Sequence, residues 1–146
     1  MSSIGEQIVV AAVSALNAGS PPCVFDRERI ADLVDADLPR GVVYPLRESP
    51  ASPFLERKPV VRPSLTIVLE LRALGTSSLR PSQAVDPLYV WAVSKLAGNT
   101  LGGLVHELLE GERNWQYGVG DKPICLLTME MVATYQHLTA DAEVVK

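Results

Sequence analysis

Apolar residues recur at Ile4, Ile8, Ala12 and Leu16, with Val9 and Val13 beside them, which predicts an amphipathic helix near the start of the chain. Ser3 followed by Glu6 reads as its capping box, and Asn17, Gly19 and Pro21-Pro22 as its end. Cys23-Val24-Phe25 suggests a short strand. Ile30, Leu33 and Val34 stand at helical spacing within residues 26–37, so a short surface helix capped by Asp26 follows. Val42-Val43-Tyr44 is a brief β segment. From Ser64 to Leu74 the alternation is strict, with Leu65, Ile67, Leu69 and Leu71 opposed to Thr66, Val68, Glu70 and Arg72. That pattern predicts a half-covered antiparallel strand.

Asp86-Pro87 reads as a helix start, Leu88, Trp91, Ala92 and Leu96 as its core stripe, and Gly98-Asn99 as its stop. Leu101, Leu104, Val105, Leu108 and Leu109 predict a second helix directly after it. Trp115, Tyr117 and Val119 then alternate into a turn at Gly118–Asp121. The last strand spans residues 122–135, with Cys125, Leu127, Met129, Met131, Ala133 and Tyr135 on one face. Residues 141–146 read as a flexible tail. The expected fold is α+β, a single domain over residues 1–146. Its sheet is mostly antiparallel, of about four strands, with helices packed on one face.

Six of the eleven prolines fall within residues 39–63, which excludes a regular helix or central strand there. Residues 45–59 are therefore read as a long proline-rich loop between two strands, with its tip near residues 49–54. Phe54, one of two phenylalanines, either tucks back onto the core or anchors a partner.

Composition narrows the function classes. Hydrophobic residues make up 47% and charged residues 21%, which argues against disorder along the whole chain. The formal charge of −4 disfavours nucleic-acid binding through phosphates. Charge is unevenly spread: residues 40–80 carry seven basic and three acidic groups, and residues 81–146 carry four basic and eight acidic. A basic middle and acidic ends let copies attract one another head to tail. Cys23 and Cys125 are too far apart for a metal-ligand spacing and lie in apolar settings, so both read as buried reduced thiols. No Lys or Arg precedes Arg27, and the apolar stretch from Ile4 to Leu16 is too short and too polar to span a bilayer. A reducing, cytosol-like compartment is expected, with no membrane partner.

Chemistry-bearing patterns are weak. His106 and His137 lie too far apart for a metalloprotease pair, and no G-x-S-x-G motif occurs. Gly98–Gly103 has neither a P-loop lysine nor a dinucleotide fingerprint. Glu110 and Glu112 sit in a charged stretch without a desolvating environment. The sequence therefore predicts no enzyme, with no catalytic, cofactor-binding or metal-ligating residues.

One resemblance adds to this reading. The alternating strand Ser64–Leu74 leads to Ala84-Val85-Asp86-Pro87-Leu88-Tyr89-Val90-Trp91. Leu101-Gly102-Gly103, Trp115 in a charged strand, and the closing Tyr135-Gln136-His137-Leu138-Thr139-Ala140-Asp141 follow. This succession resembles the tail terminator proteins of long-tailed bacteriophages, also called minor tail or tail completion proteins. The resemblance implies a structural virion protein of the tail–neck region, assembled in the host cytoplasm. It implies a homo-oligomeric ring, commonly six-fold, on the head-proximal end of the tail tube. Such a ring stops polymerisation of the major tail tube protein and offers the head-joining surface to a connector or neck protein.

Arg47, Phe54, Arg57 and Lys58 are the expected contacts with a neighbouring subunit or the tube, and Arg72 and Arg80 with the ring interface. Trp115 and Tyr117 are the alternative, packing against a helix. Other readings stay open: a different head–tail joining or stopper protein, a tail completion protein of a contractile particle, or a cytosolic ligand-binding module.

Overall fold

The structure, a computed structural model, describes residues 3–27, 38–49, 60–61, 63–118, 123–135, 137–138 and 141–145. The first helix, α1, spans Ile4–Leu16. Ser3 Oγ accepts the Glu6 N–H at 3.2 Å, the capping bond that the Ser–Glu spacing predicts. Ile4, Ile8, Val9, Ala12 and Leu16 are buried along one stripe. Asn17 ends the helix and clamps the next segment, its side chain bonding both the N–H and the carbonyl of Phe25.

Phe25 lies in β1 (Val24–Arg27), which pairs in parallel with β2 (Arg40–Ser49). Asp26 is therefore a strand residue, paired opposite Val42 and hydrogen-bonded by Arg40, and the expected helix over 26–37 otherwise lies outside the described residues. Strand β3 is short (Val60–Val61), and β4 (Ser64–Leu74) has the bounds the alternation predicts. The second helix, α2, runs from Pro81 to Leu96. It starts five residues before the expected Asp86, because Pro81 takes the first helical position and Arg80 N–H donates to Gln83 Oε1 at 2.9 Å. Pro87 stands inside the helix and is exposed.

No helix spans residues 101–109. Leu101–Gly103 is a single 3-10 turn, and Leu101, Gly102 and Gly103 all have positive φ. Strand β5 then runs Glu107–Tyr117, with Leu108 buried and Leu109 exposed. The leucines there imitate a helical period while alternating across a strand. Strand β6 (Ile124–Thr134) pairs with β4 along its whole length and buries every second residue from Cys125 to Ala133. Two further strands follow, β7 (His137–Leu138) and β8 (Asp141–Val145), the second lying where residues 141–146 are expected to form a flexible tail.

The main sheet has the order β1-β2-β4-β6-β5 and is antiparallel except at β1–β2. A small second sheet has the order β3-β7-β8. Both helices pack on one face of the main sheet, so the α+β expectation holds, with five strands where about four were expected. That face carries Val43, Leu65 to Ala73 in alternation, and Cys125 to Ala133 in alternation. Burying aliphatic side chains there supplies the main stabilisation, roughly 1.5–3 kcal/mol for each fully buried Leu, Ile or Val.

Candidate functional site

Strand register divides the main sheet into two unlike faces. The helix-covered face is apolar. The other face carries Asp26, Arg40, Tyr44, Arg47, Glu70, Arg72 and Glu130, each placed there by its pairing with an outward residue on the neighbouring strand. No described helix packs against it. Val42, Thr66 and Val68 are nonetheless buried on this face.

These polar groups are mutually satisfied in small sets. Arg40 forks onto Asp26 Oδ2 at 2.7 and 2.6 Å. Tyr44 hydroxyl donates to Glu70 Oε1 at 2.8 Å, and Arg72 Nη2 reaches Glu70 Oε2 at 3.4 Å. Arg72 Nε is buried without a hydrogen-bond partner among the described residues. Arg47 lies 3.3 Å from Glu130, and Glu48 accepts the Tyr135 hydroxyl.

Among the anticipated interface residues, Arg47 and Arg72 thus share one face. They stand opposite Thr66 and beside Glu70 respectively, about 20 Å apart at the usual strand rise. Arg47 is well exposed, whereas Arg72 is half-buried and engaged with its neighbour. Arg80 does not join them: it caps α2 at the end of the molecule marked by the Gly75–Ser78 turn. Phe54, Arg57 and Lys58 lie outside the described residues. Residues 45–49, expected as the start of the loop, continue β2 instead. Pro45 is tolerated because β1 pairs with β2 only through Val43 and because the ladder shifts register between Pro45 and Arg47.

The β5 edge of the sheet carries a stacked arginine, Arg113, that was not singled out from sequence. Ten of the eleven β5 residues are exposed. Arg113 is stacked between aromatic rings, 4.5 Å from the Tyr89 centroid on α2 and 5.4 Å from that of Trp115. It also lies 3.4 Å from Glu110, which accepts the Tyr89 hydroxyl. Trp115 and Tyr117 are themselves 43% and 58% exposed, so neither is sealed under a helix. The signal was present in Trp115, Tyr117 and Arg113 at strand spacing, but only the register shows that this strand is an edge.

Concavities among the described residues are shallow. A groove of about 420 Å³ lies between Ser20, Pro22, Pro87 and Trp91. Another of about 340 Å³ runs from the start of α1 to Leu46 and Arg47. No group of three or more His, Cys, Asp or Glu is arranged for a metal ion among the described residues. Among the described residues four titratable groups are shifted, each away from neutrality. Burial pushes the Cys23 thiol up to about 11, against the nearby Arg40 charge. Burial, and then the Glu70 acceptor, push Tyr44 up to about 12. The Glu110 hydrogen bond raises Tyr89, and burial raises Cys125. All four stay protonated at neutral pH. Among the described residues no helix is long and apolar enough to cross a membrane. No protein-family model matches the chain, and no curated protein matches it either.

Proposed function

We propose that this chain is a structural subunit of a phage-type tail terminator ring. In this reading copies assemble on the head-proximal end of the tail tube, stop its growth, and offer a surface to the neck protein of the head. It carries out no covalent chemistry and takes no cofactor. The reading rests first on the succession of short motifs from Ser64 to Asp141. The structural observation that supports it is the one-sided helix layer: both helices cover the apolar face of the sheet, and ten of the eleven residues of the β5 edge are exposed. A ring subunit needs two different contact surfaces on one body, because head-to-tail contacts join unlike patches. Arg47, exposed on the open face, and Arg57 and Lys58, in the proline-rich segment, are the basic contacts of this reading.

Electron microscopy of particles assembled without this protein tests the reading. Overlong or headless tails are expected, and normal virions reject it. A mixing experiment adds a second readout. Purified protein should hold tubes at fixed length, and a variant with Arg57 and Lys58 both changed to Glu should do so poorly. Undiminished capping by that variant removes the proline-rich segment from the contact.

A further inference from the structure

One groove is left unused by the proposed contacts. It has a volume of about 420 Å³ and is lined by Ser20, Pro22, Pro87, Val90, Trp91 and Ser94, where the segment after α1 runs past the exposed side of α2. None of these side chains is charged. Val90 is 56% exposed, and Pro87 is exposed as well. Trp91 is held in place by its Nε1 bond to the Leu16 carbonyl, and Lys95 Nζ lies 4.7 Å from its ring centroid. A fixed aromatic ring with two prolines, an aliphatic side chain and two serines has the chemistry of grooves that take extended proline-rich peptides. Such a peptide loses little entropy on docking, because proline presets its own φ.

The chain carries a ligand of that kind. Pro50-Ala51-Ser52-Pro53 is its one P-x-x-P spacing. Residues 50–53 lie outside the described residues, but Ser49, directly before them, ends β2. The groove lies toward the other end of that strand. Pro22 stands two residues before Val24, which pairs with Arg40 at the start of β2. Arg40 and Ser49 are the two ends of a ten-residue strand, about 30 Å apart at the usual rise. Helix α1 agrees, with its first turn beside Leu46 and Glu48 and its last turn at Trp91. The covalent chain holds Pro50 within about 3.8 Å of Ser49, and Pro53 within about 14 Å. A motif that starts next to Ser49 therefore cannot lie in the groove of its own copy.

We infer that Pro50-Ala51-Ser52-Pro53 of one copy docks in the groove of Pro22, Pro87, Val90 and Trp91 on a neighbouring copy. Motif and groove belong to different ends of the subunit. The contact thus joins unlike patches and runs head to tail, as an open chain or a closed ring. In biological terms the inference rests on the proposed ring function, for which it names a subunit contact.

Complementation between full-chain variants tests it. Pro50→Ala with Pro53→Ala removes the ligand and keeps the groove, whereas Val90→Lys puts a charge in the groove and keeps the ligand. In light scattering over a concentration series, each variant alone should need at least about tenfold higher concentration than the parent chain to associate. Unchanged far-ultraviolet spectra show that both still fold. An equimolar mixture of the two should recover association as far as a one-to-one pair and no further, since each pair keeps one intact contact. A capped peptide of residues 47–56 gives a readout independent of assembly. Its titration into the Pro50→Ala, Pro53→Ala chain, followed by the indole N–H signals in NMR, should saturate. The same peptide with both prolines changed to Ala should bind at least about tenfold more weakly. Where the parent chain stays monomeric in solution, the peptide comparison decides alone. Variants that associate as the parent does, a mixture no more associated than its components, or equal or absent binding of the two peptides overturns the inference. Pairing as expected, with a parent chain that fails to hold tubes at fixed length, keeps the contact and removes the terminator reading. Tubes held at fixed length without the pairing or the peptide binding do the reverse.

Discussion

Trp91 Nε1 donates a 2.7 Å hydrogen bond to the carbonyl of Leu16, so α2 caps the last turn of α1. The final carbonyls of a helix have no partner within it, and here one is satisfied by a residue 75 positions away. Trp91→Phe keeps most of the ring packing and loses the bond. The expected cost is about 1 kcal/mol, read as a lower midpoint in thermal or urea unfolding. An unchanged midpoint would show that water replaces the indole at no cost.

Gly41 and Phe25 make a second tight pair. A Cβ at position 41 would lie 2.4 Å from Phe25 Cδ1 and 2.7 Å from Cε1. Phe25 is fully buried, so the ring has little room to retreat. Gly41→Ala should destabilise by about 1–3 kcal/mol. Combining it with Phe25→Leu should cost less than the sum of the two single changes, since the clash and the ring are removed together. Additive costs in denaturant titrations would place the strain elsewhere.

Alkaline pH should weaken the fold through Cys23 and Tyr44. Both groups have folded values above their ordinary ones, 9.0 rising to about 11 and 10.0 rising to about 12. Their contribution is complete below the unfolded value and is lost as pH rises through the folded value. Stability should therefore fall from near pH 9 for Cys23 and from near pH 10 for Tyr44. Tyr44→Phe should flatten the upper part of the curve, and Cys23→Ala the lower part. The difference in 295 nm absorbance titration between the parent chain and Tyr44→Phe isolates this tyrosine among the four, and its titration at an ordinary value would sink the argument.

Glu70 receives two donors on the open face, Tyr44 and Arg72. Glu70→Ala leaves a half-buried guanidinium and a hydroxyl without their acceptor and should cost about 1–3 kcal/mol. Arg72→Met removes a charge whose Nε lacks a partner among the described residues, and should cost less than Glu70→Ala. The reverse order in unfolding experiments would mean that Arg72 holds this face together by packing its stem.

Much of the fold is legible in the order of residues, for identifiable reasons. The first helix is marked by its own cap and by a four-residue apolar repeat from Ile4 to Leu16. Strand β4 is marked by an alternation whose apolar set, Leu65 to Leu71, lies on the helix-covered face, although Thr66 and Val68 on the other face are buried as well where a half-covered strand is expected. Segments with ambiguous local signals were misread. Leu101 to Leu109 fits a helical period and a strand alternation equally well, and the glycines at 102 and 103, with their positive φ, decide against the helix. At residues 80–87 two prolines each suit a helix start, and the earlier one prevails because Gln83 reaches back to cap the Arg80 N–H.

The candidate site was less legible than the fold. Arg47 and Arg72 stand out in sequence as charges in a basic stretch, but their common face follows from pairing through β4 and β6. Local sequence by itself determined the capped helix, the alternating strands and the apolar core, because those depend on residues a few positions apart. Tertiary structure alone decided that β5 and β1/β2 are the edges and that they run in opposite directions. Strand neighbours are chosen by contacts between distant segments, and no local period encodes which strand is left without one.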